Sequence, residues 1–164
     1  MNKHKLLIVG HGRHGKDTVC EILRDEYGYN FISSSQFCAD HFIYDALKEK
    51  YNYKNPLECY TDRHNHRAEW YDMISNYNKD DPGKLGSEIF AKYDIYCGLR
   101  NINEWKKMNN DKIYHYCIWV DRSKHLPAEN ISSMSLTQNC ADFILDNNGT
   151  IDDLRANINN IPIF

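Results

Sequence analysis

A short apolar run followed at once by a glycine-rich loop and a helix constrains this chain more than any other feature. Leu6–Val9 is apolar, partly β-branched and followed by glycine, a pattern typical of a buried strand. The next nine residues, 10–18, read Gly-His-Gly-Arg-His-Gly-Lys-Asp-Thr. Residues 18–27 have apolar side chains at helical spacing, and Gly28 ends that helix. The sequence therefore predicts a strand, a tight loop and a helix, which together are typical of an α/β fold.

The loop has the composition of an anion-binding site, matching the pattern G-x-x-x-x-G-K. Glycines let the backbone N–H groups point inward around a phosphate, and the helix that follows adds the positive end of its dipole. Lys16 would supply a mobile charge for the β- and γ-phosphates of a nucleotide. The alternative is a glycine-rich turn that merely contains a lysine. The predicted ATP-binding residues are Gly10, Gly12, Arg13, His14, Gly15, Lys16, Asp17 and Thr18.

The loop departs from the usual pattern at one position. Asp17 follows the lysine, where a Ser or Thr normally binds Mg²⁺. We therefore expect the hydroxyl of Thr18 to be the ligand for phosphate or metal. Asp17 is expected to cap the helix or to orient the loop.

Short apolar strands alternate with helices along the rest of the chain. Further strands are predicted at residues 30–33, 94–99, 116–120 and 141–145, and further helices at 35–50, 65–77, 82–90 and 102–108. A last helix starts at Thr150, with Asp153 placed for a capping box. This alternation predicts a single α/β domain over residues 1–164, with a five-stranded parallel sheet covered by helices on both faces. Ligands of such folds bind beyond the carboxyl ends of the strands.

Composition narrows the functional classes. A net charge of −3 gives no global basic field for nucleic acid, although a local basic strip stays open. No apolar run is long enough for a signal or membrane segment, so we expect a cytoplasmic protein with no membrane partner. Six scattered cysteines without a C-x-x-C pair are expected to be reduced. Cys59, His64 and His66 lack the second ligand pair of a structural zinc site.

Four segments resemble the deoxynucleoside monophosphate kinases of large bacteriophages. They are the G-x-x-x-x-G-K-D-T loop and residues 94–104, 117–122 and 141–150. In the second of these segments a strand ends in Arg100, and Glu104 follows it. The resemblance is poor over residues 51–90, where the acceptor should bind. It implies a P-loop kinase fold, the use of ATP and Mg²⁺, contact of Arg100 with the substrate phosphate, and a short lid-like loop at about 121–137.

The densest polar cluster lies at residues 60–67. Arg63 and Arg67, four residues apart, would share one helix face and suit bidentate capture of a phosphate. Asp62 could position a metal or deprotonate an attacking hydroxyl, and Trp70 and Tyr71 could stack on a base. The alternative is a solvated helix start.

Two more charged residues complete the predicted catalytic set. The resemblance makes Asp40 a candidate general base, with a surface acid as an equal alternative. Arg122, at the end of the fourth predicted strand, could neutralise charge on the transferred phosphoryl group, with a plain surface loop as the alternative. The predicted catalytic residues are Lys16, Asp40, Asp62, Arg100 and Arg122, and the predicted acceptor-binding residues are Arg63, Arg67, Trp70 and Arg100.

One function and two alternatives follow from these expectations. The resemblance implies an ATP-dependent phosphotransferase acting on a deoxynucleoside monophosphate. The first alternative is a kinase for the 5-hydroxymethyl group of 5-hydroxymethyluridine in DNA, in which case DNA is a partner. The second is a nucleotide-binding ATPase or switch, which the absence of an N-K-x-D motif disfavours. A homodimer stays open.

Overall fold

The computed structural model, which describes residues 3–164, contains a five-stranded sheet. Its strands are β1 (Leu6–Val9), β2 (Phe31–Ser33), β3 (Ile95–Cys97), β4 (Tyr116–Asp121) and β5 (Phe143–Asp146). The order across the sheet is β2-β3-β1-β4-β5, and every neighbouring pair is parallel. The predicted α/β class, the number of strands and their direction are confirmed.

Helices occupy the connections between the strands. They are α1 (Lys16–Tyr27), α2 (Ser34–Cys38), α3 (Tyr44–Tyr51), α4 (Pro56–Asp62), α5 (Arg67–Tyr77), α6 (Lys84–Phe90), α7 (Ile102–Asn110) and α8 (Ile151–Asn159). The capping box predicted at the start of α8 is present, since Thr150 and Asp153 bond each other's backbone N–H groups. None of the helices within residues 3–164 has the length and apolar character needed to cross a bilayer.

Two helical segments differ from the prediction. The helix expected at residues 35–50 is interrupted by a π-helical turn, Ala39–Ile43, where the ring of His41 lies 3.1 Å from the carbonyl oxygen of Phe37. The sequence analysis also missed α4, although Asn55 caps it and Pro56 occupies its first turn. Both segments lie between β2 and β3, in the connection that forms one wall of the site described below.

The strand β1 separates two apolar layers. All four of its side chains are fully buried, as expected for a central parallel strand. Leu7 and Val9 pack in the cluster that contains the buried residues of α2–α7, whereas Leu6 and Ile8 pack with those of α1 and α8. The helices therefore cover both faces, and the loops after β1, β3 and β4 gather at one edge of the sheet.

Two glycines allow the loop after β1 to lie against the sheet. Gly10 has a φ of 145°, and a Cβ atom there would come within 2.6 Å of the carbonyl oxygen of Val120. Gly15 has a φ of 96°, and a Cβ atom there would collide with the side-chain amide of Asn147. Any larger residue at either position would push the loop away from β4 or β5.

Trp70 is a core residue, which corrects its assignment to substrate stacking. Its side chain is 4% exposed and packs in the cluster on the α2–α7 face of the sheet. Its neighbour Tyr71 is 57% exposed and is the aromatic ring that α5 presents to a cavity. Consecutive residues of a helix point about 100° apart, so Trp70 faces the core while Tyr71 faces the cavity.

We expect Trp70→Ala to lower the free energy of unfolding by about 3–5 kcal/mol, because it removes a large buried ring and leaves a cavity. Trp70→Phe should cost less, since the Trp70 indole N–H has no hydrogen-bond partner to lose. Tyr71→Ala is the matched control and should change the free energy of unfolding by less than about 1 kcal/mol. Urea denaturation measures all three. Equal losses for Trp70→Ala and Tyr71→Ala would contradict the assignment.

Candidate functional site

The loop at residues 10–18 connects β1 to α1 in a conformation suited to anion binding. Gly15 is the N-cap of α1 in the left-handed region, and Arg13 also has a positive φ of 62°. Such residues turn successive N–H groups towards one side, and the first turn of α1 adds its positive dipole end. The ammonium of Lys16 donates to the carbonyl oxygen of His11 at 2.8 Å, and burial lowers its pKa.

The two histidines of the loop hold it in place. His14 is fully buried, and its Nδ1 accepts the N–H of Arg122 at 3.0 Å. Its carbonyl oxygen accepts the side-chain amide of Asn147 at 2.9 Å, and its own N–H donates to His11. The Nδ1 of His11 accepts the N–H of Glu129 at 3.1 Å. The structure thus assigns the buried side chain of His14 to anchoring the loop.

A cavity of about 630 Å³, the basic cavity, opens beside this loop. The loop, the end of β3 and the α4–α5 segment all contribute to its lining. Five lysine and arginine side chains line it together: Arg13, Lys16, Arg63, Arg67 and Arg100. The guanidinium of Arg63 donates to the carbonyl oxygen of Tyr60 at 2.8 Å and covers the Tyr60 ring. The structure therefore brings together residues that the sequence analysis predicted from three separate segments, and their charge suits an anionic ligand.

Glu129, which the sequence analysis did not identify, covers the loop at residues 10–18. Its carboxylate accepts the guanidinium of Arg100 at 2.7 Å, and a Cβ atom on Gly12 would lie 2.8 Å from it. Burial acts to raise the pKa of Glu129, but Arg100, the Gly12 N–H and Lys16 hold it below its usual value. A carboxylate from the loop after β4 thus lies against the loop that would hold phosphate oxygens.

A second cavity of about 300 Å³, the Arg122 cavity, lies on the other side of the loop. Arg13 lines both cavities, whereas Thr18 and Arg122 line only this one. Arg122 donates to the carbonyl oxygen of Asn147 at 2.6 Å. Thr18, the predicted metal ligand, is therefore turned away from the basic cavity, and Asp17 is the side chain beside Lys16 that lines it.

A third cavity of about 370 Å³, the Glu104 cavity, adjoins the basic cavity. Ser34, Ser35, Gly98 and Arg100 line both. Glu104 is half-buried and accepts the side-chain amide of Asn78, whose Oδ1 in turn accepts the N–H of Leu85 at 3.2 Å. Burial raises the pKa of Glu104 to about 7. Its position four residues after Arg100 was visible in the sequence, but its burial was not.

Asp40 and Asp62, the two predicted general bases, are not brought to any of these three cavities. Asp40 is exposed on the π-helical turn. Asp62 accepts the hydroxyl of Tyr53 and the amide of Asn65, each at 2.6 Å, and lies 2.9 Å from the ring of His66. Those contacts make Asp62 an organising residue for the segment that presents Arg63 and Arg67.

No three His, Cys, Asp or Glu side chains within residues 3–164 converge as a metal site. Cys59 is fully buried, while His64 is exposed. All six cysteines are unpaired.

Comparison with known proteins finds solved structures with a similar overall fold, but no similar sequence. No family model matches the chain, and no curated protein matches it. Shikimate kinase from Bacteroides thetaiotaomicron is 12% identical, with a TM-score of 0.49, covering 94% of this chain and 93% of that one. The protein TT1252 from Thermus thermophilus is 14% identical, with a TM-score of 0.48, covering 97% of this chain and 96% of that one. Likeness at this level carries nothing about activity.

Glu104 should make stability depend on pH. Its folded-state pKa lies above the unfolded value of 4.5, so the folded state binds more protons between pH 4.5 and about 7 and loses stability as the pH rises through that range. We expect Glu104→Gln to raise the free energy of unfolding by about 1–3 kcal/mol at pH 8 and by less at pH 5. Denaturant unfolding at both pH values measures this, with the exposed Glu49→Gln as control. An equal change in the free energy of unfolding at both pH values would contradict the raised pKa of Glu104.

Proposed function

We propose that the protein is an ATP-dependent phosphotransferase that moves the γ-phosphoryl group of ATP to a deoxynucleoside monophosphate. One observation carries the proposal: the basic cavity gathers lysine and arginine side chains from three separate segments, one of which is the loop at residues 10–18. Lys16 comes from the loop, Arg100 from the end of β3, and Arg63 and Arg67 from the α4–α5 segment. A site with so many cations suits two phosphate-bearing ligands that meet there.

ATP would lie across the loop at residues 10–18. Its base and ribose fit the Arg122 cavity, where a planar guanidinium can stack on an aromatic ring. Its phosphates would then follow the loop past Arg13, which lines both cavities, and bring the γ-phosphoryl group into the basic cavity beside Lys16. The N–H groups of the loop and the first turn of α1 would hold the phosphates.

Mg²⁺ fits the residues that are present. Asp17 lines the basic cavity and offers hard oxygen ligands, and Mg²⁺ in such sites takes one or two carboxylates with phosphate oxygens and water. When bound, the ion neutralises charge on the phosphates. Lys16 and Arg100 would stabilise the charge on the phosphoryl group as it moves, and most of the catalysis would come from positioning.

The acceptor would bind through its phosphate to Arg63, Arg67 and Arg100. An acceptor phosphate is already ionised and attacks without a strong base, whereas a hydroxymethyl group in DNA needs one. Asp40 and Asp62, the acids expected to act as that base, line none of the three cavities. The two carboxylates that line the basic cavity have other roles in this proposal, Glu129 with Arg100 and Asp17 with Mg²⁺, so the site favours a nucleotide phosphate over the hydroxymethyl group of a modified base.

Incubation with γ-labelled ATP and Mg²⁺ tests the proposal, with each deoxynucleoside monophosphate and with duplex DNA containing or lacking 5-hydroxymethyluracil. We expect label in a deoxynucleoside diphosphate.

Lys16→Ala should lower kcat by about a hundredfold or more, because it removes charge stabilisation at the phosphoryl group. Arg67→Ala should mainly raise KM for the acceptor, and Arg155→Ala, an exposed ion-pair residue of α8, is the control.

Two other outcomes would replace this function. Label only in DNA that contains 5-hydroxymethyluracil would identify the hydroxymethyl group as the acceptor. Label only in free phosphate, at a rate no acceptor changes, would identify an ATPase or nucleotide switch.

Glu129 should compete with the phosphates of ATP, because its carboxylate already occupies Arg100 and the Gly12 N–H. Glu129→Gln removes that negative charge, and we expect it to tighten binding of a non-hydrolysable ATP analogue by about two- to tenfold. Titration calorimetry measures the Kd, with the exposed Glu21→Gln on α1 as control. Unchanged or weaker binding by Glu129→Gln would show that the carboxylate is no competitor.

A further inference from the structure

The Glu104 cavity has the lining of a site for an aromatic base. Tyr71, Ile74 and Leu85 supply apolar surface, and Ser34, Ser35 and Arg100 connect it to the basic cavity. A nucleotide whose phosphate contacts Arg100 would therefore have its base in the Glu104 cavity. Tyr71 is 57% exposed at this cavity and offers a ring face for stacking.

The carboxyl of Glu104 is held in one orientation inside this cavity. Its backbone lies in the first turn of α7, where Asn101 caps the helix and accepts the N–H of Glu104 at 3.3 Å. Its Oε1 accepts the Asn78 amide, which leaves the Oε2 atom and a second lone pair of Oε1 for a ligand. Lys79, whose side chain is exposed, places a cation in the lining of the same cavity.

We propose that the Glu104 cavity binds the guanine base of the acceptor nucleotide, and that Glu104 and Lys79 select guanine over the other bases. This inference rests on the proposed function, because it identifies the acceptor of that reaction. Guanine presents two adjacent donors, N1–H and N2–H₂, which match the two oxygens of a carboxylate. Its O6 and N7 acceptors match a lysine ammonium.

The other bases leave a polar group unpaired. Adenine and cytosine each place a ring-nitrogen acceptor beside one amino group, so one carboxylate oxygen would face an acceptor. Thymine has a single N3–H between two carbonyl oxygens and meets the same conflict. An unpaired buried polar group costs binding free energy, and a hydrogen bond to a charged group contributes more than a neutral one.

Steady-state kinetics on the wild-type protein at pH 8, where Glu104 is ionised, tests the selection with five acceptors: the deoxynucleoside monophosphates of guanine, hypoxanthine, adenine, cytosine and thymine. We expect kcat/KM to be highest for guanine and about tenfold lower for hypoxanthine, which lacks only the 2-amino group.

Glu104→Gln should lower kcat/KM for guanine by about ten- to a hundredfold and remove the preference for guanine over hypoxanthine. It should spare adenine, cytosine and thymine, because a carboxamide offers one donor and one acceptor. Glu88→Gln is the matched control, since Glu88 accepts the hydroxyl of Tyr77 and does not line the cavity. Its acceptor profile should equal that of the wild-type protein. A purely structural role of Glu104 predicts instead an equal loss for all five acceptors, and that result would overturn the proposal.

Calorimetric binding of deoxyguanosine monophosphate without ATP separates this inference from the proposed function. Guanine-selective binding that Glu104→Gln abolishes would support the site even if no phosphoryl transfer occurred. Efficient transfer to several nucleotides without a guanine preference would overturn the guanine site and leave the phosphotransferase intact. Transfer only to modified DNA would overturn both.

Discussion

The contact between the loop at residues 10–18 and the ends of β4 and β5 is the interaction on which the rest of the site depends. Asn147 donates to the carbonyl oxygen of His14, and His14 accepts the N–H of Arg122. The bond from Asn147 is buried and the bond from Arg122 is part-buried, so losing the first would leave an unsatisfied buried polar group. They fix the loop between two cavities, with Arg13 reaching both. Gly15 allows this approach because a side chain there would collide with Asn147.

Charge balance is the second constraint on the site. Arg13, Lys16, Arg63, Arg67 and Arg100 line one cavity, and like charges that share a cavity repel one another. Glu129 offsets part of this charge through Arg100 and the loop. The Glu129 carboxylate stabilises the ligand-free state through Arg100 and the Gly12 N–H. An anionic ligand that needs those same donors must displace the carboxylate, so its binding is weakened by the same free energy.

Local sequence signals were enough to predict the loop at residues 10–18, the strands and the N-terminal cap of α8, because each of these features depends on residues that are neighbours in sequence. The pattern of residues 10–18 predicts its own backbone, and Thr150 with Asp153 predicts its own capping box. Trp70 was misassigned because α5 has only a weakly amphipathic pattern, so its buried face could not be told from its accessible one. Asp17 and Thr18 could not be placed for a related reason: only the rotation of α1 decides which of the two side chains lines which cavity.

The sequence by itself determined the parallel α/β sheet, the anion-binding loop and the cations that accompany it. Those features follow from hydrophobic periodicity and from glycines and charges at short spacing. Only the tertiary structure decided that Asp17 lines the basic cavity, that Glu129 covers the loop, and that Glu104 and Lys79 line one cavity with Arg100. These residues come from distant segments, and the crossings of the chain over the sheet bring them together. Burial then sets the chemistry of each, as the raised pKa of Glu104 illustrates.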